Sequence, residues 1–298
     1  MTVRELAEPA TTETVFEIGS LTKQFTATLI MMLVEEGKIG LDDKLSKHLS
    51  SVPESWSGIT LRHLLTHSSG IKNYTGLSGF EVTRHLKADE FVKKIGAYPL
   101  NFQPGESYSY CNTGYSLLGF VIEKITGSSY GQMLNSRIFH PLGMTNSQSR
   151  DLKNVIHHRA AGYERENGQL INRDSDLTDI FSAGAIVSTV LDLAKWEAAL
   201  NREKILKRSS LDQMWTPFRL NDGKTYPYGF GWRLEDFNKQ ANIGHSGSTS
   251  GFSATLQRFP EDELAVIVLC NSDEANIATI LSRTIAGFYF TEKKAAGK

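Results

Sequence analysis

The sequence lacks the features that define the specialised protein classes. Two cysteines in 298 residues are too few for a disulfide scaffold, and eight prolines with 25 glycines exclude a collagen-like or low-complexity chain. Lysine and arginine total 32 against 33 acidic residues, so the basic surface that nucleic acid or an anionic membrane requires is missing. The composition therefore favours a globular protein that binds a small, roughly neutral ligand.

Long apolar runs are also missing. The longest, around 29–34 and 264–270, fall far short of the roughly 20 residues that cross a bilayer, so no membrane span is predicted. The first nineteen residues are charged and contain no apolar segment of the kind that secretory signals have. As written, the sequence predicts a cytoplasmic protein, whereas a natural N terminus further upstream would allow a periplasmic or secreted one. Cys111 and Cys270 are predicted to be reduced thiols.

Four segments have the pattern of helices. Residues 20–36 are apolar nearly all round, which predicts a buried central helix. A second apolar helix is predicted over 113–125, and a third begins at Ser188 or Thr189. A short helix over 60–67 lies between the first two.

The last eighty residues have the pattern of strands. Strands are predicted over 228–234, 242–246, 252–259 and 264–270, followed by a closing helix over 276–288. Helices in the middle and an antiparallel meander at the end predict an α+β fold. We expect one catalytic domain with two lobes, a sheet lobe of about residues 1–25 and 205–292 and an all-helical lobe of about 38–200. The catalytic groups would lie between them.

Ser20 and Lys23 form the first candidate catalytic pair. A hydroxyl is a poor nucleophile until a base takes its proton, so a serine beside a basic side chain is informative. Positions i and i+3 share one face of a helix, which brings the Lys23 amine within reach of the Ser20 hydroxyl. Most Ser-x-x-Lys sequences are surface helix turns, and this one gains weight from the buried helix that follows it.

Tyr110 and Asn112 form the second candidate group, at the entrance of another apolar helix. The phenol and the amide are expected to face the same way, with Cys111 between them pointing away. Lowering a tyrosine pKa to about 7 takes roughly 4 kcal/mol of phenolate stabilisation, and we expect Lys23 and His245 to supply it as cations. Taken alone, the two residues are more typical of a core aromatic and a helix cap.

The segment His245, Ser246, Gly247 and Ser248 is the third candidate group. Small residues on a predicted strand let a substrate backbone approach the strand edge. Taken alone, the segment is more typical of a turn.

In this order, Ser-x-x-Lys, Tyr-x-Asn and His-x-Gly resemble the serine β-lactamase and penicillin-binding superfamily, specifically its class C-like branch. That branch includes D-alanyl-D-alanine carboxypeptidases, D-aminopeptidases and β-lactamase-like esterases. The resemblance implies a β-lactamase-like antiparallel sheet flanked by helices. It extends over nearly the whole chain, through the segments at 16–23, 64–71, 104–105, 110–118, 141–144, 183–184, 228–232 and 244–252.

The resemblance implies a role for each helix residue of the candidate site. Ser20 would be the acylated nucleophile and Lys23 its basic partner. Tyr110 would pass the proton to the leaving group, and Asn112 would orient the substrate amide.

On the predicted strand, the same resemblance implies that His245, Ser246, Gly247 and Ser248 bind the substrate. The backbone amides of Ser20 and Ser248 would form the oxyanion hole. His245 replaces the lysine that the family usually has, and a neutral imidazole anchors a carboxylate less well than an ammonium. We therefore expect poor β-lactamase activity.

The N-terminal segment departs from the family pattern. Only nineteen residues precede Ser20, where members of the branch place a helix and a two-stranded hairpin. The apolar run 264–269 predicts a strand covered on both faces whose outer edge would then lack a partner. We expect a missing or abbreviated N-terminal hairpin, with self-association through the exposed sheet edge as its consequence.

The residues leave several functions open. An acyl-serine hydrolase could act on an ester, a D-amino-acyl amide or a D-Ala-D-Ala-type peptide, in each case a small molecule or short peptide. A weak class C-like β-lactamase and a catalytically silent penicillin-binding-like sensor or scaffold are the alternatives. No cofactor is implied. No metal is implied either, because His63 and His67 lack the glutamate of the zinc-protease motif.

Overall fold

A computed structural model describes residues 2–77, 86–151, 153–173, 177–272, 274 and 276–295. The helices in these ranges are α1 (Thr22–Glu35), α2 (Leu61–Leu65), α3 (Ala88–Gly96), α4 (Asn112–Thr126), α5 (Tyr130–Leu134), α6 (His140–Leu142), α7 (Val190–Asn201), α8 (Arg208–Met214) and α9 (Ile277–Ala295). The strands are β1 (Phe16–Glu17), β2 (Gln148–Ser149), β3 (Tyr163–Glu166), β4 (Gln169–Asn172), β5 (Ile186–Ser188), β6 (Phe218–Arg219), β7 (Thr225–Tyr226), β8 (Arg233–Phe237), β9 (Gln240–Thr249), β10 (Phe252–Phe259) and β11 (Leu264–Cys270). Within the described ranges, no helix combines the length and the apolar composition that a membrane span needs.

A four-stranded antiparallel sheet forms the C-terminal part of the fold. Its strands lie in chain order, from β8 at one edge to β11 at the other. Every residue of β10 is buried, since this strand has a neighbour on each side. Ala254 and Leu256 of β10 belong to the main core, whereas Phe259 packs with Phe290 of α9 in a second apolar cluster. This arrangement confirms the predicted α+β fold.

The central helix α1 lies inside the main core. Twelve of its fourteen residues are buried, which confirms the prediction for this segment. Phe25 contacts the rings of Phe139 and Trp196, with ring centroids 5.7 and 4.4 Å apart. A 3-10 turn, Gly19–Leu21, precedes the helix and carries Ser20. The main core runs without interruption from α1 through α4 and α7 to β10, and the division into two lobes stays a prediction.

The strand predicted over 228–234 is wrong for its first five residues. β8 begins at Arg233, and Tyr228 forms only an isolated bridge with that residue. The intervening bend passes directly over α1. Gly231 has a φ of +80° there, and a Cβ on it would lie 2.6 Å from the Lys23 carbonyl oxygen. This close approach requires glycine and prevents the regular extended backbone that the apolar pattern predicted.

The residues before Ser20 pair away from the edge of the main sheet. Val3 bridges Glu8, and β1 pairs antiparallel with β5 in a separate three-stranded sheet that also contains β2. Within the described part of the chain, β11 therefore has β10 as its one sheet neighbour. The abbreviated N-terminal hairpin stays a prediction.

Candidate active site

The Lys23 amine is buried at the start of α1, where three oxygen atoms surround it. Its Nζ lies 3.0 Å from Ser20 Oγ, 2.8 Å from Asn112 Oδ1 and 2.7 Å from the Ala183 carbonyl oxygen. The i, i+3 spacing at the helix start creates the first contact. Asn112, the first residue of α4, supplies the second contact, and Ala183, in the segment that leads into β5, supplies the third. Three distant parts of the chain thus meet at one amine.

Burial makes this amine a base. It lowers the pKa of Lys23 well below the ordinary lysine value, and the Arg233 guanidinium acts in the same direction. A neutral amine has two N–H donors and one lone pair. Because the oxygens of Asn112 and Ala183 can only accept, they take the two donors, and the lone pair faces the Ser20 hydroxyl. The geometry therefore suits proton transfer from Ser20 to Lys23.

The Tyr110 hydroxyl is buried beside Ser20, without a hydrogen-bond partner in good geometry among the described residues. The Lys23 amine lies 4.8 Å from the centroid of its ring. Burial raises the pKa of Tyr110 and outweighs the contact with Ser20, which acts in the opposite direction. The predicted lowering of this pKa is therefore wrong. Burial lowers the pKa values of both Lys23 and His245, the two expected cations, so neither is favoured as a cation in this environment.

His245 lies on β9 with its ring buried and both ring nitrogens engaged. Nδ1 lies 2.6 Å from the Ser246 carbonyl oxygen, which can only accept, so Nδ1 carries the proton. Nε2 then accepts from the Tyr228 hydroxyl, 3.0 Å away. Burial lowers the pKa of His245 to about 3, so the imidazole is neutral near pH 7. In this arrangement both nitrogens bind protein atoms.

The backbone of β9 contacts the turn that carries Ser20. A Cβ on Gly247 would lie 2.0 Å from a carbonyl oxygen of the segment before Ser20, and a Cβ on Gly19 would lie 2.7 Å from the Ser248 amide nitrogen. Glycine at both positions permits this approach. Ser248 is exposed and Ser246 half-buried, and their side chains point to the same face of the strand. The structure thus brings the predicted oxyanion-hole segments together.

Arg233 is a site residue that the sequence analysis did not single out. As the first residue of β8 it pairs with Gly244, so it stands beside His245 across the sheet. Its Cζ lies 5.9 Å from the centroid of the Tyr110 ring, and 42% of its side chain is exposed. The sequence did offer a signal for this residue. Arg233 is an isolated cation that directly follows the segment 228–232, on the strand before the one that carries His245.

His67 supports the Tyr110–Asn112 segment from behind. Its Nδ1 accepts from the Cys111 amide at 3.0 Å, while Cys111 Sγ donates to the Ile71 carbonyl at 3.4 Å. Burial lowers the pKa of His67 well below its ordinary value. No cluster of three potential metal ligands occurs among the described residues. The rings that surround this imidazole are those of Tyr108, Tyr110, Tyr115 and Tyr228.

Comparison with known proteins agrees with this geometry. The family model described as Beta-lactamase matches residues 2–286. The chain belongs to the Beta-lactamase family. Among its family relatives, penicillin-binding protein 4* of Bacillus subtilis strain 168 is 33% identical over 284 residues, which cover 89% of this chain and 62% of the relative. The putative penicillin-binding protein PbpX of the same strain is 29% identical over 88% of this chain and 63% of the relative. The chain thus spans about three fifths of the length of these two proteins.

Solved structures of the family share the fold. The octameric penicillin-binding protein homologue from Pyrococcus abyssi has a TM-score of 0.82 at 30% identity, over 97% of this chain and 69% of that one. The D-amino acid amidase from Ochrobactrum anthropi SV3 has a TM-score of 0.82 at 27% identity, over 97% of this chain and 88% of that one. These similarities confirm the β-lactamase-like fold and membership of the serine β-lactamase and penicillin-binding superfamily.

The buried neutral histidines predict how stability depends on pH. In the folded protein the pKa values of His67 and His245 are depressed, whereas in the unfolded chain both protonate near pH 6.5. Unfolding therefore takes up protons below pH 6.5, and the free energy of unfolding falls as the pH drops toward 4. The two groups together give a slope that approaches about 2.7 kcal/mol per pH unit. We expect His245→Gln to remove about half of this slope in urea unfolding between pH 5 and 6.

His157→Gln is the matched control, because His157 is exposed. It should leave the slope unchanged. An equal slope in wild type and His245→Gln would contradict a neutral, buried His245.

Proposed function

We propose that this protein is a serine hydrolase that acts through an acyl intermediate on Ser20. The observation that carries the proposal is the desolvated Lys23 amine, 3.0 Å from Ser20 Oγ, with two other oxygens that engage its donors. Ser20 Oγ attacks the carbonyl carbon of an ester or amide while its proton passes to Lys23. The amides of Ser20 and Ser248 stabilise the oxyanion that forms.

Tyr110 completes the reaction as the proton donor to the leaving group. Because its pKa is raised, it is a phenol before the reaction and can release a proton as the carbonyl carbon–leaving group bond breaks. The proton on Lys23 then returns to Tyr110, which leaves an acyl-Ser20 ester. Water attacks that ester with Lys23 as the base, the acid product leaves, and the Ser20 hydroxyl is restored.

The desolvated lysine supports a hydrolase over a silent sensor. Burying an amine costs free energy, and a scaffold gains nothing from that cost. The D-amino acid amidase noted above, and a D-stereospecific amidohydrolase from Streptomyces with a TM-score of 0.78 at 28% identity, share the fold. Their names support a D-amino-acyl group in the substrate.

The nucleophile is tested by intact mass spectrometry after exposure to an activated aryl ester, a D-alanyl-D-alanine peptide and a β-lactam in parallel. We expect an acyl adduct from the aryl ester in wild type and none in Ser20→Ala. Lys23→Ala should lower kcat for this ester by about 10²- to 10⁴-fold, because the proton acceptor is lost. Ser57→Ala, which changes an exposed serine, is the control and should keep full activity. An adduct on Cys111 or on another serine would refute the assignment.

Arg233 supports a substrate that carries a carboxylate close to the scissile bond. Since burial disfavours the charged forms of Lys23 and His245, the half-exposed Arg233 guanidinium is the solvent-accessible cation that faces Tyr110. Its acidic neighbour Glu235 lies 3.9 Å away, beyond hydrogen-bonding distance, which leaves its N–H donors able to bind a ligand. We infer that D-Ala-D-Ala-type peptides bind with their terminal carboxylate at Arg233.

Arg233→Ala should therefore discriminate between substrates. A hydrogen bond to a charged group contributes about 1.5–3 kcal/mol, so we expect kcat/KM for a D-alanyl-D-alanine peptide to fall by roughly 10- to 150-fold. Hydrolysis of a neutral aryl ester should change less than threefold. The control is Arg202→Ala at the exposed end of α7, which should affect neither substrate. Equal losses on both substrates would contradict the carboxylate assignment.

The edge of the main sheet supports self-association, as the sequence predicts. β11 contains no charged residue or proline, the usual protection of an edge strand against pairing with another chain. The neighbouring α9 exposes an apolar stripe that includes Ile285 and Phe288, which is 67% exposed. The Pyrococcus abyssi homologue is described as octameric. We infer that two copies of this chain associate through β11 and α9.

Sedimentation velocity tests this interface. We expect wild type to associate at micromolar concentration and Phe288→Glu to be monomeric with an unchanged Tm, because a buried unpaired charge opposes association. Leu191→Glu, on the exposed side of α7, is the control and should associate like wild type. A monomeric wild type at high concentration would show that the edge is not an interface.

A further inference from the structure

A second cavity lies among the helices, apart from the candidate active site. It has a volume of about 710 Å³ and lies between α4, α5, β2 and the segment before β5. Its described lining residues include none of Ser20, Lys23 or Tyr110. A volume in this range is typical of pockets that hold small molecules.

The lining combines aromatic rings with a carboxylate. Phe91, Phe120 and Phe181 form one side, with ring centroids 5.5 Å apart for the first pair and 5.2 Å for the second. Glu123 is half-buried one turn further along α4, and its Oε1 accepts from the Tyr130 amide at 2.8 Å. Aromatic faces and a desolvated carboxylate both attract a cation.

Much of the remaining lining is polar, and it includes a second, exposed carboxylate, that of Asp151. The Ser116 hydroxyl is buried and has no hydrogen-bond partner among the described residues. A buried hydroxyl without a partner costs free energy that a ligand could recover. The Arg150 guanidinium also lines the cavity, but it forms a buried ion pair with Glu17. Its charge is therefore balanced, and Glu123 supplies the net charge on the α4 side.

The cavity is linked to Lys23 through the five-residue segment 181–185. Phe181 and Ala185 line the cavity, and Ala183 between them accepts the hydrogen bond from the Lys23 amine. Phe181 has φ +43° and ψ −130°, a backbone conformation that residues other than glycine rarely adopt. Such strain is stored where surrounding contacts maintain it, so a ligand against the Phe181 ring can shift the backbone next to Ala183.

We propose that this cavity binds a cationic amine with an aromatic or alkyl group, and that the bound amine alters acyl transfer through the Ala183 carbonyl. The ammonium group pairs with Glu123, while the apolar group lies against the phenylalanine rings. The binding site stands by itself. The effect on acyl transfer rests on the proposed function.

Binding is measured by calorimetry on Ser20→Ala protein, which needs no turnover. The probes are 4-phenylbutylamine and the neutral 4-phenylbutan-1-ol, and we expect the amine to bind at least tenfold more tightly. Glu123→Gln in the same background should abolish this preference, since glutamine keeps the carbonyl acceptor for Tyr130 but loses the charge. Glu166→Gln changes an exposed carboxylate on β3 outside the cavity and should leave both affinities unchanged.

A second variant tests binding in the cavity without changing Glu123. Thr145 lines the cavity and is exposed, so Thr145→Trp should fold normally and reduce binding of both probes at least tenfold. Equal affinity for amine and alcohol, or no saturable binding to Ser20→Ala protein, would overturn the site.

The kinetic measurement is separate. In wild type, the amine should change kcat for the aryl ester at least twofold without raising KM, and this effect should disappear in Thr145→Trp. A purely competitive effect that persists in Thr145→Trp would place the amine at Ser20 and overturn the proposal. Calorimetric binding without any ester hydrolysis would contradict the proposed function and the coupling, while it would support the site itself.

Discussion

The burial of the Lys23 amine governs the rest of the site, because loss of solvent disfavours its charged form. Each of the three oxygens around it is in turn held by the fold. Asn112 donates to Thr75 at 3.1 Å, and its backbone amide binds Asn73 at 3.0 Å. Ser20 depends on the close approach of β9, which glycines permit. The basicity of Lys23 therefore depends on the packing around one nitrogen atom.

The other ionisable side chains at the site also lie in surroundings of low polarity. Burial lowers the pKa values of Lys23, His67 and His245 and raises that of Tyr110, so the interior of the site favours the uncharged form of each group. Positive charge enters from the edge, where Arg233 is half exposed. In such an interior, the interaction of a developing charge with nearby hydrogen-bond donors is stronger than in water, because few mobile dipoles remain to screen it. In the proposed mechanism, this arrangement separates substrate recognition at the rim from proton transfer in the interior.

Glu17 connects the active site with the second cavity. It lies in β1, just before the turn that carries Ser20, and is buried. Its carboxylate accepts from Thr249 Oγ1 at 2.7 Å at the end of β9 and pairs with Arg150, which lines the cavity. Removing either Glu17 or Arg150 would leave the other as a buried charge without compensation, which is strongly destabilising. Strand β1 before Ser20, the end of β9 and the cavity wall are thus connected by one buried carboxylate.

Local patterns in the sequence determined the buried helices, the meander from β9 to β11 and the i, i+3 pairing of Ser20 with Lys23, since each depends on residues close together in the chain. The protonation states were decided only by the tertiary structure. Asn112 and Ala183 are 89 and 160 residues away from Lys23 in the chain, yet both contact its amine. The exclusion of solvent around this amine lowers its pKa. Arg233 likewise joins the site only when β8 pairs with β9. The pKa of a group depends on all the atoms around it in space, and the spacing of residues along the chain identifies only a few of those atoms.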